Sequence, residues 1–114
     1  MLQTLLKRAA PAVLAPCAVV SLAAAAPAPQ TAQVTIGNFT FGPAVLTVSP
    51  GATVTWLNGD DIPHTVVAAD KRAFRSKVLD SGDSFAFTFT RPGSYAYFCS
   101  IHPHMTGKIV VKSR

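Results

Sequence analysis

The sequence predicts an all-β fold, a β-sandwich of about seven to eight short strands. Three observations point there. Apolar and polar residues alternate with a period of two in several short stretches; Phe85, Phe87 and Phe89 set against Ala86, Thr88 and Thr90 are the cleanest. Gly and Pro punctuate those stretches throughout, as turns between short strands require. No segment carries the 3.6-residue apolar period of an amphipathic helix, which leaves the sandwich as the economical way to bury one face of each strand.

Gln33-Val34-Thr35-Ile36 reads as the first strand, ended by the turn signal Gly37-Asn38. Phe39 and Phe41 flank Thr40 ahead of the Gly42-Pro43 break. Residues 45–48 form a strand stopped by Ser49-Pro50-Gly51. Thr53-Val54-Thr55-Trp56-Leu57 alternates and then meets Asn58-Gly59. Another extended run covers 64–68, with His64 at its start and Pro63 restricting the backbone before it. Residues 70–80 are the least regular, with Lys71, Arg72, Arg75 and Lys77 around Phe74. We expect a solvated loop with one aromatic tucked into the core edge, rather than a basic patch that steers an acidic partner. Residues 85–89 make the next strand, Pro92-Gly93 turns the chain into 94–99, and 107–111 closes the fold.

The first residues differ in composition from the rest. Lys7 and Arg8 precede an apolar run from Ala9 to Leu22, too short to span a bilayer, and Ala23-Ala24-Ala25 supplies small residues for cleavage. We therefore expect a signal peptide at 1–25, a flexible Pro/Ala-rich lead-in at 26–32 and one domain at 33–114, periplasmic or secreted. Lipidation of Cys17 is disfavoured by Pro16 directly before it. Loss of Lys7 and Arg8 takes the formal net charge from +5 to +3, a mild bias that is no nucleic-acid signature. Loss of Cys17 leaves Cys99 as the one mature thiol, so an intramolecular disulfide is excluded and the thiol needs another use.

Cys99-Ser100-Ile101-His102-Pro103-His104-Met105 offers that use. It sets a thiolate, an imidazole and a thioether at three-residue intervals, and His64 adds a second imidazole from upstream. Soft sulfur suits Cu(I), imidazole suits either copper oxidation state, and a His₂Cys set with a weak Met is the donor set of blue-copper electron-transfer sites. Tyr95, Tyr97 and Cys99 share strand parity, so large inward rings aim the sulfur at the core. Singly, each ligand has a plainer reading: a surface His, a core Met, a small buried Cys. It is the combination that is specific. His104, on the same loop, reads as a surface residue.

Trp56-Leu57-Asn58, Asp61-Ile62-Pro63-His64, Phe85-Ala86-Phe87-Thr88-Phe89, the run from Pro92 to Cys99 and Gly107-Lys108-Ile109-Val110-Val111 together resemble the cupredoxins, the small blue-copper proteins, and among them the amicyanins. The resemblance covers about 33–112. It implies a Greek-key β-sandwich and one copper ion, with His64, Cys99 and His102 as strong ligands and Met105 as the weak axial one. It implies an electron carrier rather than an enzyme, monomeric, without stable membrane insertion. Redox proteins such as a c-type cytochrome or a dehydrogenase would dock transiently where Ile62, Pro63, Ile101 and Pro103 surround His102. A periplasmic copper carrier or buffer delivering the ion to another protein is the alternative. A copper oxidase or nitrite reductase needs more histidines for a second copper centre than the three present. Two positions depart from the family pattern. Many members have Asn after the first His, where its side chain ties the ligand loops; Thr65 stands here, and its shorter hydroxyl is expected to do less. Amicyanins have Pro two residues after the Cys; here Ile101 keeps its N–H.

Overall fold

The computed structural model describes residues 11, 12, 16 and 30–114. Most of the expected leader, Cys17 included, and residues 26–29 of the lead-in lie outside the described residues. Among the described residues there are eight strands: β1 (Thr31–Gly37), β2 (Thr40–Gly42), β3 (Val45–Val48), β4 (Ala52–Asn58), β5 (Val67–Ala68), β6 (Ser84–Phe89), β7 (Gly93–Phe98) and β8 (Thr106–Val111). They form two four-stranded sheets, ordered β2-β1-β4-β6 and β3-β8-β7-β5. From β2 to β7 every consecutive strand changes sheet, while β1–β2 and β7–β8 are hairpin pairs within one sheet. β1–β4 and β3–β8 run parallel and the other pairs antiparallel. This is the sandwich with crossing connections that the sequence predicts. Among the described residues no helix is long and apolar enough to cross a membrane.

The alternation in β4 decides where the core lies. Ala52, Val54, Trp56 and Asn58 face inward and are buried, while the residues between them are half-buried. Trp56 is the centre. Its ring stacks on Phe74 at 5.7 Å and meets Tyr97 edge-on at 5.4 Å. Truncating a Trp at such a position typically costs about 3–5 kcal/mol. Tyr97 lies across from Gly107 in the β7–β8 register. A Cβ on Gly107 would sit inside the Tyr97 ring, so this glycine is fixed by close approach.

Three local features differ from, or refine, the sequence reading. The extended run at 64–68 yields only a two-residue strand, with His64 held as an isolated bridge to Leu79. The cause is competition for backbone donors: Thr65 N–H goes to Cys99 Sγ and Val66 N–H to Ser76 Oγ, so a continuous ladder cannot form. Phe39 is not a strand residue. Asn38 and Phe39, with φ of 51° and 57°, are the central pair of a tight hairpin turn with left-handed backbone at both positions. Phe41 points into the core, whereas Phe39 is half exposed. The loop after β5 matches the expectation. Phe74 is buried, Lys71, Arg72, Arg75 and Lys77 are exposed, and Asp70 Oδ1 accepts the N–H groups of Arg72 and Ala73.

Candidate metal centre

The two segments that carry the ligand residues meet at one end of the sandwich. Cys99 directly follows β7, on the inward parity of Tyr97, and is fully buried. His102 lies on the loop between β7 and β8, half-buried. Cys99 N–H donates to Met105 O at 3.1 Å and Met105 N–H to His102 O at 2.9 Å, which closes that loop on itself. His64, fully buried, comes from the segment before β5 and is fixed by two backbone hydrogen bonds with Leu79, at 3.0 and 2.7 Å. His64 Nδ1 and His102 Nδ1 each lie 3.8 Å from Cys99 Sγ. One ligand atom from each of the three residues falls within 4.8 Å of the others. Met105 is buried on the same loop, and His104 is exposed and outside this group.

The sulfur environment favours a thiolate. Burial pushes the Cys99 thiol up. Against it stand the Thr65 N–H first, then the His64 ring beside the sulfur, with smaller contributions from the N–H groups of His102 and Ile101. Together they bring it down to about 6. The Thr65 bond is 3.4 Å long. Thr65, whose shorter hydroxyl is expected to do less than the family's Asn, does tie the loops. Its Oγ1 accepts Ser100 N–H at 2.8 Å and lies 2.8 Å from Ser100 Oγ. Both ligand loops are tied through that one atom, because they approach closely enough for a hydroxyl to reach.

His64 is also oriented from behind. Its Nε2 lies 2.7 Å from Asp60 Oδ2. A carboxylate only accepts, so Nε2 carries the proton and Nδ1 keeps its lone pair toward Cys99. The Asp60 carboxyl is held below its ordinary range by the N–H groups of Phe39 and Asn38, with His64 adding to the effect. Asn58, buried at the end of β4, organises this loop. Its Nδ2 donates to Ile62 O and Leu79 O, and its Oδ1 accepts Asp60 N–H, each at 2.9 Å. Sequence reasoning took Asn58 for a turn residue and passed over Asp60 and Phe39. The signal for Asn58 was its inward parity in β4; Asp60 and Phe39 had no local signal. The Phe39 ring meets His102 edge-on at 5.0 Å and His64 edge-on at 5.8 Å.

The His64 nitrogen with its free lone pair, a His102 ring nitrogen at the same 3.8 Å, one depressed thiol and a buried thioether on the same loop suit a soft, one-electron metal better than a hard cation. Tetrahedral zinc is the competing chemistry for sulfur and nitrogen donors. Here Met takes the place of a fourth strong ligand, which favours copper.

Comparison with known proteins gives the same direction. The chain matches the Cupredoxin-like domain family over residues 10–111. It is 39% identical over 71 residues to amicyanin from Paracoccus versutus, covering 59% of this chain and 54% of that protein. It is 36% identical over 94 residues to amicyanin from Paracoccus denitrificans, covering 79% of this chain and 72% of that protein. The match to the first of these spans about half its length. Among solved structures, a purple cupredoxin from Nitrosopumilus maritimus aligns with a TM-score of 0.66 at 35% identity, over 71% of this chain and 99% of that one. Fold, ligand cluster and sequence agree, and the chain belongs to the cupredoxin-like family.

Proposed function

We propose that this protein is an exported electron carrier that holds one copper ion at His64 Nδ1, Cys99 Sγ, His102 Nδ1 and, weakly, the Met105 thioether. The observation that carries the proposal is the pair of Nδ1 atoms, each 3.8 Å from a buried and acidified Cys99 sulfur. Bound copper supplies a one-electron couple between Cu(II) and Cu(I). The chain supplies the rest. Cys99 and His64 are fully buried, which excludes water from the site. Thr65, Asn58 and Asp60 fix the ligand segments through hydrogen bonds that do not depend on the metal. A ligand set fixed in this way changes little between oxidation states, which suits fast electron exchange and leaves no position for a substrate.

His102 alone among the three is half-buried, and the surface around it is apolar. Phe39 and Ile101 are about half exposed, at 50% and 45%, with Pro63 and Pro103 exposed beside them and Ile62 half-buried. Such a patch suits brief docking of a redox protein of the c-type cytochrome or dehydrogenase kind. The alternative of copper delivery fits less well. A donor protein needs an exposed route for the ion, and two of the three strong ligands have no exposed atom surface. The apolar run and small residues before residue 26 support export with cleavage after Ala25. The mass of the protein recovered from a periplasmic fraction tests that part.

The test of the site is the absorption spectrum after addition of Cu(II). An intense thiolate-to-copper band at about 600 nm is expected of a His₂Cys centre. A colourless complex, or one with only weak ligand-field bands, overturns the assignment.

A further inference from the structure

We propose that Asp60 is a positioning residue that joins the His64 imidazole and the exposed Phe39 turn into one mechanical unit. Its carboxylate makes three contacts, one with His64 four residues on and two with the distant turn between β1 and β2. Oδ2 accepts from His64 Nε2 at 2.7 Å and from Phe39 N–H at 3.1 Å, and Oδ1 accepts Asn38 N–H at 2.6 Å. One oxygen is thus shared between a candidate ligand and the turn. Asp60 is itself held, since its own N–H donates to Asn58 Oδ1 at 2.9 Å and Asn58 is fully buried.

The turn needs this support. A bulky residue at positive φ is an unfavourable choice for a hairpin turn, where Gly is the usual occupant. Phe39 takes it at 57° and turns its ring edge-on to both histidines instead of following Phe41 into the core. Without the carboxylate, two adjacent N–H groups lose their acceptor and the His64 proton loses its partner in the same event. The arrangement therefore transmits displacement in both directions. A partner that presses on Phe39 moves the amide that shares an oxygen with His64. A change at His64 likewise reaches the surface aromatic. The copper reading enters only through the potential; the clamp is a property of the chain.

The test compares Asp60→Asn with Asp61→Asn, which removes the same charge one residue away from the contacts. Both variants and the parent are studied by nuclear magnetic resonance, Cu(I)-loaded and metal-free. In the parent, the His64 Nε2 proton is expected to be visible, slow to exchange and attached to the nitrogen that faces Asp60. Its absence there overturns the proposal without any variant. In Asp60→Asn, amide-exchange protection at both Asn38 and Phe39 is expected to fall by about tenfold, the low end for a hydrogen bond to a charged group. The His64 ring proton should be lost to exchange at the same time, and the potential of the copper form should rise, since a ligand backed by a carboxylate favours Cu(II). Asp61→Asn should leave both amides and the ring proton as in the parent. Loss of protection at the turn with an unchanged His64 signal, or the reverse, overturns the coupling. If the clamp is seen in the metal-free chain but no blue band forms with Cu(II), the copper reading fails and the clamp stands.

Discussion

Asp60 and Asp70 each accept two backbone N–H groups, and in both cases those bonds are what chiefly hold the carboxyl below its ordinary range. The donors differ in origin. Asp70 takes the N–H groups of residues two and three positions ahead, Arg72 and Ala73. Asp60 reaches back 21 and 22 residues, to Phe39 and Asn38. The first is a local loop cap, exposed, with its two lone N–H partners next to it in sequence. The second is part-buried, with its side chain 17% exposed, and also carries the His64 proton. The same side chain stabilises one loop in isolation and, at the other position, ties two sheet connections to a ligand. Changes at the ligand end should therefore reach the metal, and changes around Asp70 should not.

The largest effect that this contrast predicts is at Cys99. Cys99→Ser removes the soft donor but leaves the packing of β7 nearly unchanged. Copper binding should weaken and the blue colour vanish while the circular dichroism keeps its β signature. An intensely blue Cys99→Ser protein would show that another group supplies the charge transfer.

A smaller effect is expected within the same loop. Met105→Gln should retain copper and lower the potential, because a harder oxygen donor favours Cu(II). His104→Ala should leave spectrum and potential unchanged, as His104 is exposed and lies outside the ligand group. Voltammetry on both variants reads the answer. The reverse pattern would move the weak ligand from Met105 to His104.

Much of this was legible in the sequence, for a physical reason. Half-buried strands must alternate, so Thr53 to Leu57 and Phe85 to Phe89 announced themselves. Ligands on one short loop must sit at close spacing, so Cys99, His102 and Met105 did too. What stayed hidden depends on contacts between remote parts of the chain. Asp60 looks like any turn carboxylate until the β1–β2 turn is placed beside it. Phe39 shares parity with Phe41, and only the turn between β1 and β2 breaks that parity. The extended run at 64–68 was cut short by acceptors, Cys99 Sγ and Ser76 Oγ, that no local pattern could reveal. The tie from Thr65 to Ser100 was hidden too, because the reach needed between the loops was unknown.

At the local cap the prediction is one of acid sensitivity alone. Asp70 has a lowered carboxyl in the folded state, so its contribution is present above its ordinary value of 3.8 and is lost as pH falls through the folded value. Asp70→Ala should lower the thermal midpoint slightly at neutral pH. The gap to the parent should close below about pH 4, and the copper potential should not move. A shift in potential would mean that this loop communicates with the ligand end after all.

The smallest expected effect concerns Ile101. Hydrogen bonds to the Cys99 sulfur withdraw charge from the thiolate, and a less negative sulfur stabilises Cu(II) less, so each bond raises the potential. Thr65 N–H is the principal backbone donor, and Ile101 N–H contributes least among the four groups that lower the thiol. A bond to a charged acceptor is worth roughly 1.5–3 kcal/mol when well formed, and only its difference between the two copper states moves the potential. Ile101→Pro deletes this weak donor without touching a ligand, at the position where the amicyanins have Pro. Ile101 is half exposed, so the ring meets little packing. The blue band should stay intact and the potential should fall by less than in Met105→Gln. No change would show that the Ile101 N–H does not act on the sulfur, leaving Thr65 N–H, from the segment that Asp60 holds, as the leading backbone donor to the thiolate.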